Sequence, residues 1–234
     1  MHQLAARWPT LLVPTKAEPS ARAYTTVRAD SRPSVLEETY QLRHQAYCVE
    51  RTFLRADDYP DGLEIDEFDR FSTHFATLDE SDRVVGTIRM VAPSMLGFPL
   101  FRHCTLFPEQ ETLYDRSNSV VELSRLTVAP QQRPHGFGAK GALFSLYQAV
   151  YFHTKRQGIT HWLMAGEQSL QRILVMYGFP FEPAGPTVDY WGPVTPYVLE
   201  LAKLDEILLT GRARRLQGFM EGLEEAMRPR LVRS

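Results

Sequence analysis

Val128–Lys140 reads VAPQQRPHGFGAK, and the fold is decided by what lies on either side of it. Upstream, Ser119–Ala129 (SVVELSRLTVA) is rich in β-branched residues and reads as a buried strand. Downstream, Leu143, Leu146, Tyr147, Val150 and Tyr151 recur at helical spacing, which predicts a helix within Gly136–Gln157. The strand runs out at Ala129 and Pro130, and Arg133-x-x-Gly136-x-Gly138 leads into the helix. Glycines let a backbone turn with positive φ and approach a ligand with no Cβ in the way. Successive N–H groups at a helix N-terminus favour a phosphate, and an arginine adds charge-assisted hydrogen bonds. Two glycines and an arginine at this spacing also make an ordinary loop-to-helix turn. The strand before and the amphipathic helix after are what a phosphate cradle requires.

Working outward, residues 1–32 carry Pro, Ser, Thr and scattered Arg with no sustained apolar period, and read as a partly ordered arm. A first helix is predicted over 34–51, with Ser34 and Glu37 matching a capping box. The Asp-rich stretch Arg55–Arg70, with Pro60 and Gly62, reads as a long loop of the kind that carries function. Thr73–Leu78 and Arg83–Val91 read as two strands of a hairpin turning at Asp79–Asp82, and 93–118 as irregular. A strand at Thr160–Ala165, a helix at 167–177, one or two strands at 181–200 and a charged helix at 202–227 complete the chain. Antiparallel strands followed by strand–helix–strand–helix make an α+β order around one mixed sheet. The expected division is an arm (1–32), a catalytic domain (33–205) and a helical extension (206–234).

The 234 residues are 44% hydrophobic and 23% charged, with a formal charge of −2. That balance excludes global disorder and shows no basic excess for a nucleic-acid partner. No apolar run approaches the ~18 residues of a membrane span. Two cysteines make neither a zinc cage nor a disulfide scaffold, and the N-terminus lacks a signal-peptide pattern, so a reduced, cytoplasmic protein is expected. Cys48, with no evident activating base, reads as a buried thiol. His74 and His103 have no companions at metal-ligand spacing and read as non-catalytic.

A charged constellation is more specific. In order it comprises Arg43 with Tyr47 and Phe53; Glu64-x-Asp66-x-x-Asp69; Gly86-Thr-Ile-Arg89; and Glu122-x-Ser124-Arg125. Unpaired buried charges are expensive, so inward Arg and Glu on strands imply partners. Period two places Glu122, Ser124, Leu126 and Val128 on one face and Arg125 on the other, unless a bulge intervenes. Two readings of Arg43 and Arg89 stand here: holders of a substrate carboxylate, or ion-pair partners of Asp66 and Asp69.

The spacing V-x-P-x-x-R-x-x-G-x-G-A, from Val128 to Ala139, resembles the acyl-donor signature of the GCN5-related N-acetyltransferase (GNAT) superfamily. The resemblance implies a three-layer fold with a mixed, mostly antiparallel sheet flanked by helices. It implies that Arg133, Gly136, Gly138 and Ala139 bind the phosphates of coenzyme A or phosphopantetheine, and that the strand at Thr127 and Val128 holds the pantetheine arm. The helix with Leu170, Ile173 and Leu174 before Gly178-Phe179 is similar to the superfamily's second motif. Many members carry a tyrosine, the acid for the departing thiolate, where Leu174 stands; Tyr177 is not read as its equivalent.

The constellation resembles that of the acyl-homoserine-lactone synthases. The tail, with Glu167-x-Ser169-Leu170-x-Arg172, Phe181-Glu182-Pro183 and Val188-Asp189-Tyr190, is more similar to long-chain N-acyl amino acid synthases and PEP-CTERM/exosortase-associated acyltransferases. This covers about residues 35–205. It implies transfer of a fatty acyl group from an acyl-carrier-protein or coenzyme A thioester to the amine of an amino acid or derivative. No permanently bound cofactor and no metal are implied. Arg43, Tyr47, Phe53, Asp66, Asp69, Arg89 and Ser124 become candidate substrate-binding residues.

Such chemistry needs a proton acceptor for the amine and donors for the tetrahedral oxyanion. Glu122 is the candidate base, its pKa raised by a desolvated pocket. Arg125, Arg89 or Arg43 would pair with an acceptor carboxylate, and the backbone near Thr127–Val128 would hold the oxyanion. Lys140, Lys155 and Arg156 suggest a surface for an acidic carrier protein. A homoserine-lactone synthase and an idle acyl-thioester-binding module remain as alternatives.

Overall fold

A computed structural model describes residues 24–114, 119–133 and 141–229. An eight-stranded sheet runs through it, formed by β1 (Thr25–Arg28), β2 (Ser72–Leu78), β3 (Val84–Val91), β4 (Val120–Val128), β5 (His161–Glu167), β6 (Glu182–Pro183), β7 (Val188–Asp189) and β8 (Pro193–Glu200). The order is β1-β2-β3-β4-β5-β8-β6, with β7 also on β8. Every pairing is antiparallel except β4 with β5. The expected mixed, mostly antiparallel sheet is present. Thr25–Arg28, inside the stretch read as an arm, pairs with β2 as an edge strand; four polar and β-branched residues leave no apolar period to read.

Helix α1 (Pro33–His44) starts on Pro33 at its first position, not on the expected capping box: Arg32 is the N-cap and makes no side-chain cap. Val35, Thr39 and Arg43, four residues apart, form its buried face. The helix then widens into a π-helical turn over Gln45–Glu50, which carries Tyr47. Residues 93–118, read as irregular, include a 3₁₀ turn at Pro99–Arg102 and helix α2 (Pro108–Tyr114).

Helix α3 (Ala142–Arg156) backs the sheet through the predicted Leu143, Leu146, Tyr147, Val150 and Tyr151. Each such side chain contributes roughly 1.5–3 kcal/mol on burial. Gly86 permits the close approach, since a Cβ there would lie 3.3 Å from Leu146 Cδ1. Helix α4 (Gln168–Tyr177) ends at Gly178, whose φ of +105° forms a left-handed cap. The closing helix α5 spans only Leu201–Thr210, shorter than the predicted 202–227. Gly211, Gly218 and Gly222, all at positive φ, turn the chain instead, and Phe219 and Leu223 tuck into the main core.

Two irregularities position the site. β4 and β5 pair only from Val120 to Glu122 on β4 and then part, leaving a cleft. In addition, β3 advances two residues from Thr87 to Arg89 while β4 takes three from Thr127 to Ser124, which is a β-bulge at Arg125–Leu126. Arg125 sits there at φ +51°.

Candidate active site

The cleft between the parted strands has a volume of about 570 Å³. Its floor is apolar, with Ile88, Leu143, Met164, Leu170 and Ile173 around the Tyr147 ring. Its upper wall carries Glu122, Ser124, Arg125 and Asp66, and Val128 and Arg133 line it towards the end of β4. A chamber of this kind suits an alkyl chain below and polar reacting atoms above.

Glu122 is 2% exposed, and one carboxylate oxygen accepts a hydrogen bond from the Leu100 N–H at 2.9 Å. Burial is the main influence on it and raises its pKa to about 7, against the moderating Leu100 N–H and the charges of Arg89 and Arg125. It is therefore poised to exchange a proton near neutrality. Cys104 also lines the cleft; its thiol is pushed up by burial and by the Glu122 charge and is not a ready nucleophile.

Behind the upper wall lies a buried ion network. Arg43 donates from Nε to Glu64 at 2.6 Å and from Nη1 and Nη2 to Asp69 at 2.7 and 3.0 Å. Arg89 donates from Nη1 to Asp66 at 2.6 Å and Asp69 at 2.9 Å, and from Nε to Ser124 Oγ at 3.0 Å. Arg125 is held by Glu64 and Asp66, each at 3.0 Å. His74 bridges Asp30 at 2.8 Å and Asp69 at 2.9 Å. Burial opposes ionisation of Asp69 and Glu64, but the His74 and Arg43 contacts outweigh it for Asp69 and hold it well below the usual carboxylate range, and the Arg43 and Arg125 charges outweigh it for Glu64 and lower its pKa. Burial likewise disfavours the His74 imidazolium, yet its two carboxylate hydrogen bonds raise its pKa.

These positions favour the ion-pair reading of the two left open above. Arg43, fully buried, and Asp69 do not line the cleft, and neither does Arg89. They form ion pairs behind its wall, Arg43 with Glu64 and Asp69, and Arg89 with Asp66 and Asp69. The bulge corrects the face assignment: Glu122 and Ser124 share a face as expected, but Leu126 moves to the core side, packing on the α3 cluster. Arg125 reaches the same carboxylates as Arg43 and Arg89, so it is not on the opposite face from Glu122 and Ser124.

Thr127 is buried and pairs with Thr87. Arg133 donates from Nε to the Val128 carbonyl at 2.8 Å and from Nη2 to Glu50 at 2.6 Å. Gly136, Gly138, Ala139 and Lys140 lie outside the described residues. Lys155 pairs with Asp205 and Arg156 with Glu224.

Arg51 and Trp191 escaped the sequence reading, and so did the contacts that join them to Phe53, His103, Glu167 and Tyr190. Tyr190 stacks on His103 with ring centroids 3.7 Å apart, Trp191 lies 4.1 Å from Tyr190, and Phe53 stacks on Trp191 at 5.6 Å. Arg51, whose guanidinium is 5.1 Å from the Phe53 ring, forms an ion pair with Glu167 at the end of β5. These contacts join four distant segments that line the cleft, at 51–53, 103, 167 and 190–191. The Tyr190-Trp191 pair before a glycine was a visible aromatic signal; nothing in the sequence links Arg51 to Glu167.

With the splayed strands and their cleft in view, comparison with known proteins defines the class. Residues 42–137 match the acetyltransferase (GNAT) domain. The acyl-homoserine-lactone synthase of Aeromonas hydrophila is 29% identical over 126 residues, 53% of this chain and 59% of that protein. The coenzyme A-dependent acyl-homoserine-lactone synthase BjaI superposes with a TM-score of 0.56 at 24% identity, over 82% of this chain and 90% of that one. FeeM, an N-acyl amino acid synthase from uncultured soil microbes, superposes with a TM-score of 0.53 at 13% identity, over 82% of this chain and 98% of that one. The fold is the GNAT fold, and over about half its length the chain is similar in sequence to acyl-homoserine-lactone synthases. It spans about six tenths of the length of the curated relatives it matches.

Proposed function

We propose that the protein is an N-acyltransferase that moves a fatty acyl group from a pantetheinyl thioester to the amine of an amino acid or derivative. The observation that carries this reading is Glu122: a carboxylate with a pKa raised to about 7, set in the wall of a cleft whose floor is apolar. The acyl chain lies on the floor between β4 and β5, and the thioester carbonyl sits beside β4. An ammonium cannot attack a thioester; Glu122, directly or through water, takes the proton that frees the amine. The amine nitrogen bonds to the acyl carbon, the C–S bond breaks, and the thiol leaves with a proton. The Arg125 side chain, partly exposed beside Asp66, holds the acceptor end. Arg133 contributes to the donor's phosphate once released from Glu50.

The donor is an acyl carrier protein or acyl-coenzyme A; the BjaI complex with isopentyl-coenzyme A supports the latter chemistry on this fold. No helix among the described residues is long and apolar enough to cross a membrane. Both cysteines are free and buried, which fits a reduced, cytoplasmic setting.

The second reading is an acyl-homoserine-lactone synthase, favoured by the sequence relatives. The BjaI structure also holds S-adenosylmethionine, which puts that molecule among the acceptors to be tested here. A thiol-release assay with palmitoyl-carrier protein and palmitoyl-coenzyme A against an amino acid panel and S-adenosylmethionine, with mass spectrometry of the products, tests both. An N-acyl amino acid product supports the first reading and a lactone the second. Tight thioester binding without turnover on any acceptor contradicts both and leaves a binding module.

A further inference from the structure

The bulge in β4 is strained and must be held. A non-glycine residue in the left-handed region is strained and persists only where its surroundings over-determine it. On one side Arg125, at φ +51°, is anchored by Glu64 and Asp66. On the other, Tyr47 of the π-helical turn donates its hydroxyl to the Leu126 carbonyl at 3.0 Å, across 79 residues of sequence. The Arg125 guanidinium lies 5.4 Å from the Tyr47 ring, so one side chain touches both residues of the bulge. Burial raises the Tyr47 pKa, so the hydroxyl remains a donor across the working range.

The bulge has a consequence for chemistry. Beyond Glu122, β4 has no strand partner on its β5 side, so nothing in the sheet fixes that edge. Leu126, turned by the bulge, lines the cleft beside Thr127 and Val128. We propose that Tyr47 is a positioning residue: its hydroxyl, by fixing the Leu126 carbonyl, sets the unpaired edge of β4 against which the thioester carbonyl is held. This departs from the substrate-binding role first read for Tyr47 and rests on the acyl-transfer reading above. A π-helical turn and a β-bulge, each irregular alone, are locked together by one phenolic bond.

Tyr47→Phe keeps the ring under Arg125 and removes only the hydroxyl. Two measurements decide the inference. In carbon-13-labelled protein without substrate, the Leu126 carbonyl resonance moves upfield in Y47F, and the neighbouring Thr127 amide shifts with it. In steady-state kinetics, kcat falls about tenfold while the donor KM and the pH midpoint set by Glu122 stay as in the parent; tenfold corresponds to about 1.4 kcal/mol of barrier. Because a reduced active fraction would produce the same split, kcat is referred to active sites counted by donor-binding titration, with folding of Y47F verified by thermal melting. An unmoved Leu126 resonance, an unchanged kcat, a donor KM that rises alone, or a Y47F chain that does not fold each overturns the inference. If the parent turns over no acyl thioester at all, the functional reading fails, and the carbonyl resonance alone still tests the bond.

Discussion

Arg43 and Asp69 meet fork to fork: Nη1 donates to Oδ1 at 2.7 Å and Nη2 to Oδ2 at 3.0 Å, with both side chains buried. The pair joins the first helix to the loop that leads into β2. Its Arg43 end also takes Glu64, so its removal takes one partner from each of two buried carboxylates, leaving Glu64 to Arg125 and Asp69 to Arg89 and His74. Breaking a buried pair from one side costs about 3–5 kcal/mol, far more than a surface ion pair contributes. Arg43→Met is expected to destabilise the fold by about that amount, read as a lowered urea midpoint with an unchanged slope. A midpoint equal to the parent's would show that the network is dispensable.

His74 makes stability depend on pH. Its folded pKa is raised, so the native state holds the proton more tightly than the unfolded chain. The stabilisation is complete below the ordinary histidine value of about 6.5 and is lost as pH rises through the raised one. Asp69 and Glu64, held low, act oppositely: their contribution is complete above about 4.5 and is lost as pH falls. Melting temperature against pH should therefore decline above pH 6.5 in the parent, and His74→Gln should reduce that decline, leaving the part that the raised Glu122 carboxyl contributes up to about pH 7. A parent profile flat from pH 6.5 to 8.5 contradicts the assignment.

The Glu50 carboxylate holds the Arg133 guanidinium at 2.6 Å, with both side chains partly exposed. A donor phosphate at Arg133 must displace it. Glu50→Gln is expected to lower the donor KM about two- to fivefold, in line with the small free energy of an exposed pair, and less so at high salt. A donor KM unchanged at low ionic strength would remove Arg133 from the donor site.

Met164 and Ile173 lie on the apolar floor. Met164→Trp fills part of the chamber, and product profiling by mass spectrometry should show acyl chains shortened by several carbons with short-chain turnover retained. An unchanged chain-length profile would place the acyl chain elsewhere.

The sequence made the sheet legible where apolar period and β-branching coincide, in β2, β3, β4 and β5, and made α3 legible through its five-residue stripe. It carried the ion network as spacing, because inward charges on strands demand partners. What it could not carry was local irregularity: the π-helical turn at Gln45–Glu50 and the bulge at Arg125 have no composition signal, and they decide which face Leu126 takes. The role of Arg43 was open for the same reason, since only the fold shows that Glu64 and Asp69 already satisfy it. The closing helix was overextended because charge and leucine spacing continue past Gly211, where the backbone turns left-handed.

Glu122 carries the account, and Glu122→Gln probes it with the least disturbance, since glutamine can still accept the Leu100 N–H. The decisive measurement is kcat/KM for acyl transfer from pH 5.5 to 9 in parent and E122Q, on protein whose folding is verified by thermal melting. The parent rate should rise with pH to a plateau with a midpoint near 7, and E122Q should lose about 10²–10⁴-fold of it together with that midpoint. E122Q turning over at the parent rate with the parent's pH profile would contradict the proposal that this carboxylate frees the attacking amine.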